Sequence, residues 1–340
     1  MNRRRSMRNA KRRSVRRPRA AISPADIPAG IVGMGLMGTS IAACLLIAGH
    51  PVAGVESDAS KRRTARARLL ALLRGAKKEG LLNHDPAEVL KRITISDGYS
   101  VFRDCQIVIE SIIEDVEAKR GVIRQIEEVV SPGAIIGSNT SAIPIRQLQK
   151  GALYPRRILG IHWGEPAHVL RFMEIICGDQ TDPANAERVR TLARGWGKEP
   201  SIVRRDIRGF ITNRCMYALM REAFHLVERG YATVEDVDRS LRNDLGYWIT
   251  FAGPFRYMDL TGIPAYATVM RDLWPELSNE TEVPDLMADL VASGARGISN
   301  AKGFYRYSEK EARRWEKRFL EFSYEIRALA ARYSEAAQND

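Results

Sequence analysis

His162 and Glu174 are the residues whose types and spacing could do chemistry. His162 opens the run His-Trp-Gly-Glu-Pro, and Glu174 follows twelve residues later in Arg-Phe-Met-Glu-Ile-Ile. An ordinary histidine titrates near pH ~6.5, so it can take up a proton at neutral pH and return it. A carboxylate beside it fixes the tautomer and offsets the imidazolium charge that forms. Ser141 and Asn213 add a hydroxyl and an amide on either side of this pair in sequence. If a hydride acceptor binds nearby, the set points to dehydrogenation of an alcohol without a metal.

The acceptor has a place. Gly30-Ile31-Val32 reads as a short strand that runs into Gly33-Met34-Gly35-Leu36-Met37-Gly38, followed by an apolar helix ending at Gly49. In this pattern the first glycine makes a tight turn, the second lets a pyrophosphate approach the backbone, and the third lets helix and strand pack closely. The helix N-terminus then offers N–H groups and a positive dipole end to phosphate. A second strand, Pro51 to Val55, ends at Glu56, 23 residues after Gly33. An acid there accepts hydrogen bonds from ribose hydroxyls and repels a 2′-phosphate. NAD is therefore expected over NADP, although Lys61, Arg62 and Arg63 stand near enough in sequence to hold a phosphate.

The surrounding chain alternates between the two periods. Lys61 to Glu79 reads as a basic helix with a leucine-rich buried side, Cys105 to Ile113 as an apolar strand, and Glu117 to Val130 as a helix stopped by Pro132-Gly133. Ala134 to Gly137 and Arg157 to Ile161 read as further strands. This alternation predicts a Rossmann-type, doubly wound parallel sheet over 28–206, with ligands at the carboxyl ends of its strands. Ser141 and His162 fall at such ends. From residue 207 to 340 the pattern turns helical: Ile211, Cys215, Leu219, Ala223 and Val227 recur every four residues, Thr233 and Asp236 open another helix, and 309–337 is helical and highly charged. An all-α second domain follows.

These residues resemble the L-3-hydroxyacyl-CoA dehydrogenase family over roughly residues 28–310. The likeness is carried by Gly33-Met-Gly-Leu-Met-Gly, Ile109-Glu110-Ser-Ile-Ile-Glu114 with Lys119, Ser138-Asn-Thr-Ser141, His162-Trp-Gly-Glu-Pro166 with Glu174, and Gly209-Phe-Ile-Thr-Asn213. The resemblance implies reversible, NAD-dependent oxidation of an L-3-hydroxyacyl-CoA to its 3-oxo form. His162 would be the base and Glu174 its orienting partner; Ser141 and Asn213 would hold the substrate oxygen. Glu56, Glu114 and Lys119 would contact the cofactor, and Lys77 and Lys78 lie about where the family contacts CoA. A homodimer is implied as well. Taken singly, each residue has a plainer reading: His162 as a core histidine, Ser141 as a helix cap, Asn213 as a bridge between helices, Glu114 and Lys119 as a surface pair, and the lysines as a solvated face. Glu110 has no role that the sequence argues.

Two departures bear on substrate. The family usually has two aromatics and an Asn between the histidine and proline, whereas this chain has Trp163-Gly164-Glu165; and Ile298-Ser299-Asn300 stands where the family has Lys-Thr-Gly. Glu165 would repel an anionic group or bind a cationic or hydroxyl-rich one. Residues 242–254 also look like relatives that oxidise free hydroxy acids such as L-gulonate or carnitine, so a CoA-independent hydroxy-acid or polyol dehydrogenase is the alternative.

Composition closes off other classes. The 340-residue chain is 45% hydrophobic and 28% charged, which suits a globular protein with a sizeable core. No apolar run approaches the ~18 residues of a membrane span. The four cysteines, Cys44, Cys105, Cys177 and Cys215, are far apart and form no CxxC pair, so reduced thiols are expected rather than disulfides or a metal site. Residues 1–25 hold ten basic residues and no acid, leaving +2 of the net +12 for the rest. This stretch is expected to be part of a disordered tail (1–27), a plain extension rather than a nucleic-acid or anionic-surface arm. A cytoplasmic protein is expected, or one of the mitochondrial matrix if the basic stretch is a presequence.

Overall fold

Short runs of aliphatic and β-branched residues, four to six long, build one sheet. In the computed structural model, which describes residues 23–333, these are β1 (Ala29–Val32), β2 (Val52–Val55), β3 (Ile93–Ser96), β4 (Ile107–Glu110), β5 (Ile135–Ser138), β6 (Ile158–Trp163), β7 (Phe172–Cys177) and β8 (Glu199–Val203). Their order is β3-β2-β1-β4-β5-β6-β7-β8. The first six strands are parallel, as the alternation predicts, and give the 3-2-1-4-5-6 order of a Rossmann sheet. The far edge departs from that alternation. There β6 and β7 form an antiparallel hairpin, and β8 runs parallel to β7.

Helices α1 (Leu36–Ile47), α2 (Ala59–Lys78), α3 (Pro86–Leu90), α4 (Val116–Glu127), α5 (Ile145–Leu148) and α6 (Pro183–Gly195) cover the two faces. Alternate strand residues face opposite ways. Ile107 and Ile109 join Leu69 and Leu73 of α2 in one core, while Val108 joins Ile123 and Ile126 of α4 in the other. Burying a leucine of this kind stabilises the fold by about 1.5–3 kcal/mol. Then come α7 (Thr212–Glu228), α8 (Val234–Asn243), α9 (Leu245–Ile249), α10 (Pro254–Thr261), α11 (Ile263–Leu273), α12 (Asp285–Ala292) and α13 (Glu309–Arg332). None of α7, α9, α10, α11 or α12 buries a residue.

Ordered structure starts before residue 28. Pro24–Asp26 form a turn capped by Ser23, and Ile27 is buried. The Ile27 carbonyl accepts from His50 Nδ1 at 2.9 Å, and His50 Nε2 accepts from Trp196 Nε1 at 2.8 Å. Residues 24–27, read from sequence as tail, are thus held by a buried neutral imidazole. The basic run at 3–19 lies outside the described residues.

The C-terminal helix α13 returns to the sheet domain. Its N-terminus carries a capping box between Ser308 and Glu311. Farther along, Tyr324 Oη lies 3.4 Å from His168 Nε2, and Arg327 donates to the Val169 carbonyl. Burial, with Lys198 and Arg327 close by, depresses His168 to about 4. Below pH ~6.5 the unfolded chain protonates this imidazole, while the folded chain refuses the proton until about pH 4. Stability is therefore complete above that window and falls with pH inside it, by about 2 kcal/mol between pH ~7.5 and ~5. Burial lowers His50 in the same sense, whereas burial raises Glu165 and works against the loss. Urea unfolding at the two pH values should show a distinctly smaller loss in His168→Gln than in the wild type. An identical pH dependence would exclude this imidazole as the source.

Candidate active site

The β6–β7 hairpin puts His162 directly opposite Glu174 in register. That is why twelve residues of separation become a contact: His162 Nδ1 lies 3.0 Å from Glu174 Oε2. Both side chains are buried. Glu174 Oε1 accepts from the backbone N–H groups of Ile211 (3.0 Å) and Thr212 (2.9 Å), at the start of α7. Burial alone would push Glu174 up, but the hydrogen bonds from His162, Thr212 and Ile211 outweigh it and hold the carboxyl below its ordinary value. With an ionised Glu174 accepting at Nδ1–H, Nε2 is the nitrogen left to exchange a proton with a ligand.

Two phenyl rings fix the imidazole plane. Phe172 meets it edge-on with centroids 5.3 Å apart, and Phe210 lies 5.8 Å away. Phe210 has φ +52°, a left-handed conformation costly for a bulky residue, right after Gly209 at φ +79°. This pair of left-handed residues turns the chain from the sheet into α7, seats Phe210 against His162 and aims the Ile211 and Thr212 N–H groups at Glu174. Neither ring was recognised from sequence; the Gly209 run carries no cue that its Phe is left-handed.

Ser141 and Asn213 are brought together: Asn213 Nδ2 donates to the Ser141 carbonyl at 2.8 Å. Asn139, two residues earlier, accepts from the Trp163 N–H at 3.0 Å and ties this loop to the end of β6. Glu114 organises the loop as well. Its Oε1 accepts from Thr140 Oγ1 (2.5 Å), Ser141 N (2.9 Å) and Ala142 N (3.2 Å). Burial tends to raise this carboxyl, but Thr140, Lys119 and the two backbone donors bring it below its usual value.

Beneath the loop sits an ion pair that the sequence did not reveal. Glu110 and Lys119 are both fully buried. Lys119 Nζ donates to Glu110 at 2.9 and 3.0 Å and lies 3.4 Å from Glu114 Oε2. Ser138, paired with Glu110 across β4 and β5, also donates to that carboxylate. The spacing from 110 to 119 matches neither strand nor helix period, because the chain turns between them; that hid the pair.

The fingerprint loop suits a dinucleotide. Gly33 has φ +86°, and a Cβ on Gly38 would lie 1.7 Å from the Gly33 carbonyl oxygen, so both positions require glycine. A Cβ on Gly35 would meet nothing, leaving the outer face of the loop open. Gly35 also supplies no side-chain cap to α1, so the first N–H groups of that helix face the open side. Leu36 and Met37 begin the helix, with Leu36 64% exposed beside this opening. Glu56 accepts from the Met34 N–H at 3.0 Å, next to the turn. Arg62 donates to the carbonyls of Glu56 and Ser57 and pairs with Asp97 at 3.3 Å. Lys77 and Lys78 lie at the exposed end of α2 beside Arg74 and Asp85, and Lys78 reaches Glu79 at 3.7 Å.

Comparison with known proteins identifies the frame around this geometry. Residues 28–207 match the NAD-binding domain of 3-hydroxyacyl-CoA dehydrogenase, and residues 209–307 match the C-terminal domain of the same enzyme. The chain belongs to the 3-hydroxyacyl-CoA dehydrogenase family. It is an NAD-dependent oxidoreductase of that family, acting on CH–OH. A 5-formyl-3-hydroxy-2-methylpyridine 4-carboxylate 5-dehydrogenase of Mesorhizobium japonicum is 32% identical over 284 residues, covering 83% of this chain and 91% of that one. A crystal structure of a dehydrogenase of that name, described as an NAD+ dependent dismutase, superposes with a TM-score of 0.83 at 29% identity, over 89% of this chain and 98% of that one. The (S)-3-hydroxybutyryl-CoA dehydrogenase of Ralstonia eutropha gives 0.68 at 32% identity, over 83% and 99%.

Proposed function

We propose that this 3-hydroxyacyl-CoA dehydrogenase family member interconverts a secondary alcohol and its ketone, with His162 as the base. The observation that carries this reading is the 3.0 Å contact of His162 Nδ1 with a Glu174 that two α7 N–H groups also hold. His162 Nε2 takes the hydroxyl proton as the carbinol C–H bond breaks and the carbonyl forms. The Gly33–Gly38 loop would hold NAD, which would supply the hydride acceptor. Glu174 stabilises the imidazolium in a buried setting, where the attraction exceeds its value in water. Ser141 and Asn213 donate to the developing oxygen charge. Glu56 and Glu114 would contact the cofactor, whereas Lys119, fully buried, would act only by holding Glu114.

The substrate we propose first is an L-3-hydroxyacyl-CoA, the family's class, with Lys77 and Lys78 on its phosphates. A second reading, a CoA-independent substrate, has its own support. The fold agrees better with the pyridine-carboxylate dehydrogenase (0.83) than with the hydroxybutyryl-CoA enzyme (0.68) at similar identity. Glu165, whose carboxyl is raised by burial, also replaces the family's amide. NADH oxidation with acetoacetyl-CoA, next to acetoacetate at equal concentration, separates the two. Oxidation only with the thioester establishes the CoA reading; none with it, despite tight NADH binding, removes that reading.

A homodimer is part of the proposal. Tyr217, Tyr247 and Phe255 are 65%, 80% and 79% exposed on helices that bury nothing within the chain. Such a surface calls for a covering partner. Sedimentation equilibrium returning the monomer mass would refute it. Among the described residues no helix is long and apolar enough to cross a membrane. The four cysteines are free, which fits the reducing cytoplasm or a mitochondrial matrix.

A further inference from the structure

We propose that α13 is a latch on the active-site hairpin, and that Arg327 is a positioning residue for the His162–Glu174 pair. The inference rests on reading that pair as the proton-handling groups. It concerns a helix that begins at Glu309, beyond the residues matched to the family's two domains.

Eight residues, 164–171, join β6 to β7. This connection closes tightly on itself: a Cβ on Gly164 would meet Leu170 at 2.9 Å and Phe172 at 3.2 Å. Other parts of the chain anchor it. Ser40 of α1 accepts from the Ala167 N–H at 2.8 Å. Lys198, just before β8, donates to the carbonyls of Ala167 and Leu170. Arg327 of α13 donates to the carbonyl of Val169, between those two. His168 bridges Ser40 (3.4 Å) and Tyr324 of α13 (3.4 Å). Buried carbonyls need such donors, and here three carbonyls within four residues draw theirs from two cations.

Space is kept for the guanidinium. Gly197 has φ +71°, and a Cβ there would lie 2.6 Å from Arg327 Nη2. The connection then leads straight into Phe172, whose ring meets His162 edge-on at 5.3 Å. In a close-packed interior a shift at Val169 has few places to go except along this path. Loss of the Arg327 contact should therefore loosen the hairpin end where His162 faces Glu174, and leave the dinucleotide loop at Gly33–Gly38 as it was.

The test compares full-length Arg327→Ala and Arg327→Lys with the wild type by amide hydrogen exchange and by turnover per NADH-binding site. In Arg327→Ala, amides of Trp163 and of Phe172 to Glu174 should exchange about tenfold faster, with β1 and β4 unchanged. Turnover per site should fall about tenfold while NADH affinity stays within about twofold, and the lysine variant should recover most of both. Unchanged exchange at the hairpin overturns the latch. So does acceleration everywhere, since α13 would then only stabilise the whole fold. If the wild type turns over neither acetoacetyl-CoA nor acetoacetate, the functional reading fails by itself, and exchange at the hairpin still decides whether α13 holds it.

Discussion

Replacing His162 by alanine should lower turnover by about 10³-fold while NADH affinity changes by no more than about twofold. The separation follows from where the groups sit. The imidazole is held on the β6–β7 hairpin by Glu174 and the rings of Phe172 and Phe210. The fingerprint loop takes its shape from Gly33, Gly38 and Glu56, none of which touches His162. The proposed proton acceptor can thus be removed without disturbing the turn proposed to bind pyrophosphate. The measurement is NADH fluorescence titration beside steady-state turnover on the same preparation. Parallel loss of both would mean that His162 supports the fold rather than the chemistry.

Glu110→Ala should destabilise the protein by about 3–5 kcal/mol, because it strands the Lys119 ammonium in a dry interior. Lys119 is fully buried, and two of its three carboxylate contacts are to Glu110. Glu114 Oε2, at 3.4 Å, is a poor substitute for two contacts of 2.9 and 3.0 Å, and its Oε1 holds the loop that carries Ser141. The paired variant Glu110→Leu/Lys119→Met removes both charges and should recover much of the stability, since apolar replacement of a buried pair is often neutral. Urea unfolding of the two variants provides the check. A loss below about 1 kcal/mol in Glu110→Ala would show that water reaches Lys119 and that the pair is not a dry one.

Legibility in the sequence followed the range of the physics. The Gly33–Gly38 loop and Glu56 are local, since turn, helix start and strand end are fixed by neighbours in the chain, and they stand where the spacing puts them. Six of the eight strands keep the parallel order that alternation predicts. The reversal at β7 was hidden because an apolar strand looks the same whichever way it runs. Yet that reversal is what sets His162 against Glu174. Glu110 was opaque for a related reason: a charge inside an apolar strand is intelligible only once its partner on α4 is in place. In α7 the four-residue apolar repeat is real, but Ile211, at its N-cap, and Leu219 are 47% and 38% exposed, on the face that the proposed dimer would cover.

The central claim, that His162 and Glu174 act as one unit, is most directly tested by a double-mutant cycle on turnover with His162→Ala, Glu174→Gln and both together. A carboxylate that works only through the imidazole has nothing left to act on once the imidazole is gone. The double variant should then turn over at about the rate of His162→Ala alone. Losses that multiply across the two substitutions would contradict the pair and leave Glu174 with an independent role.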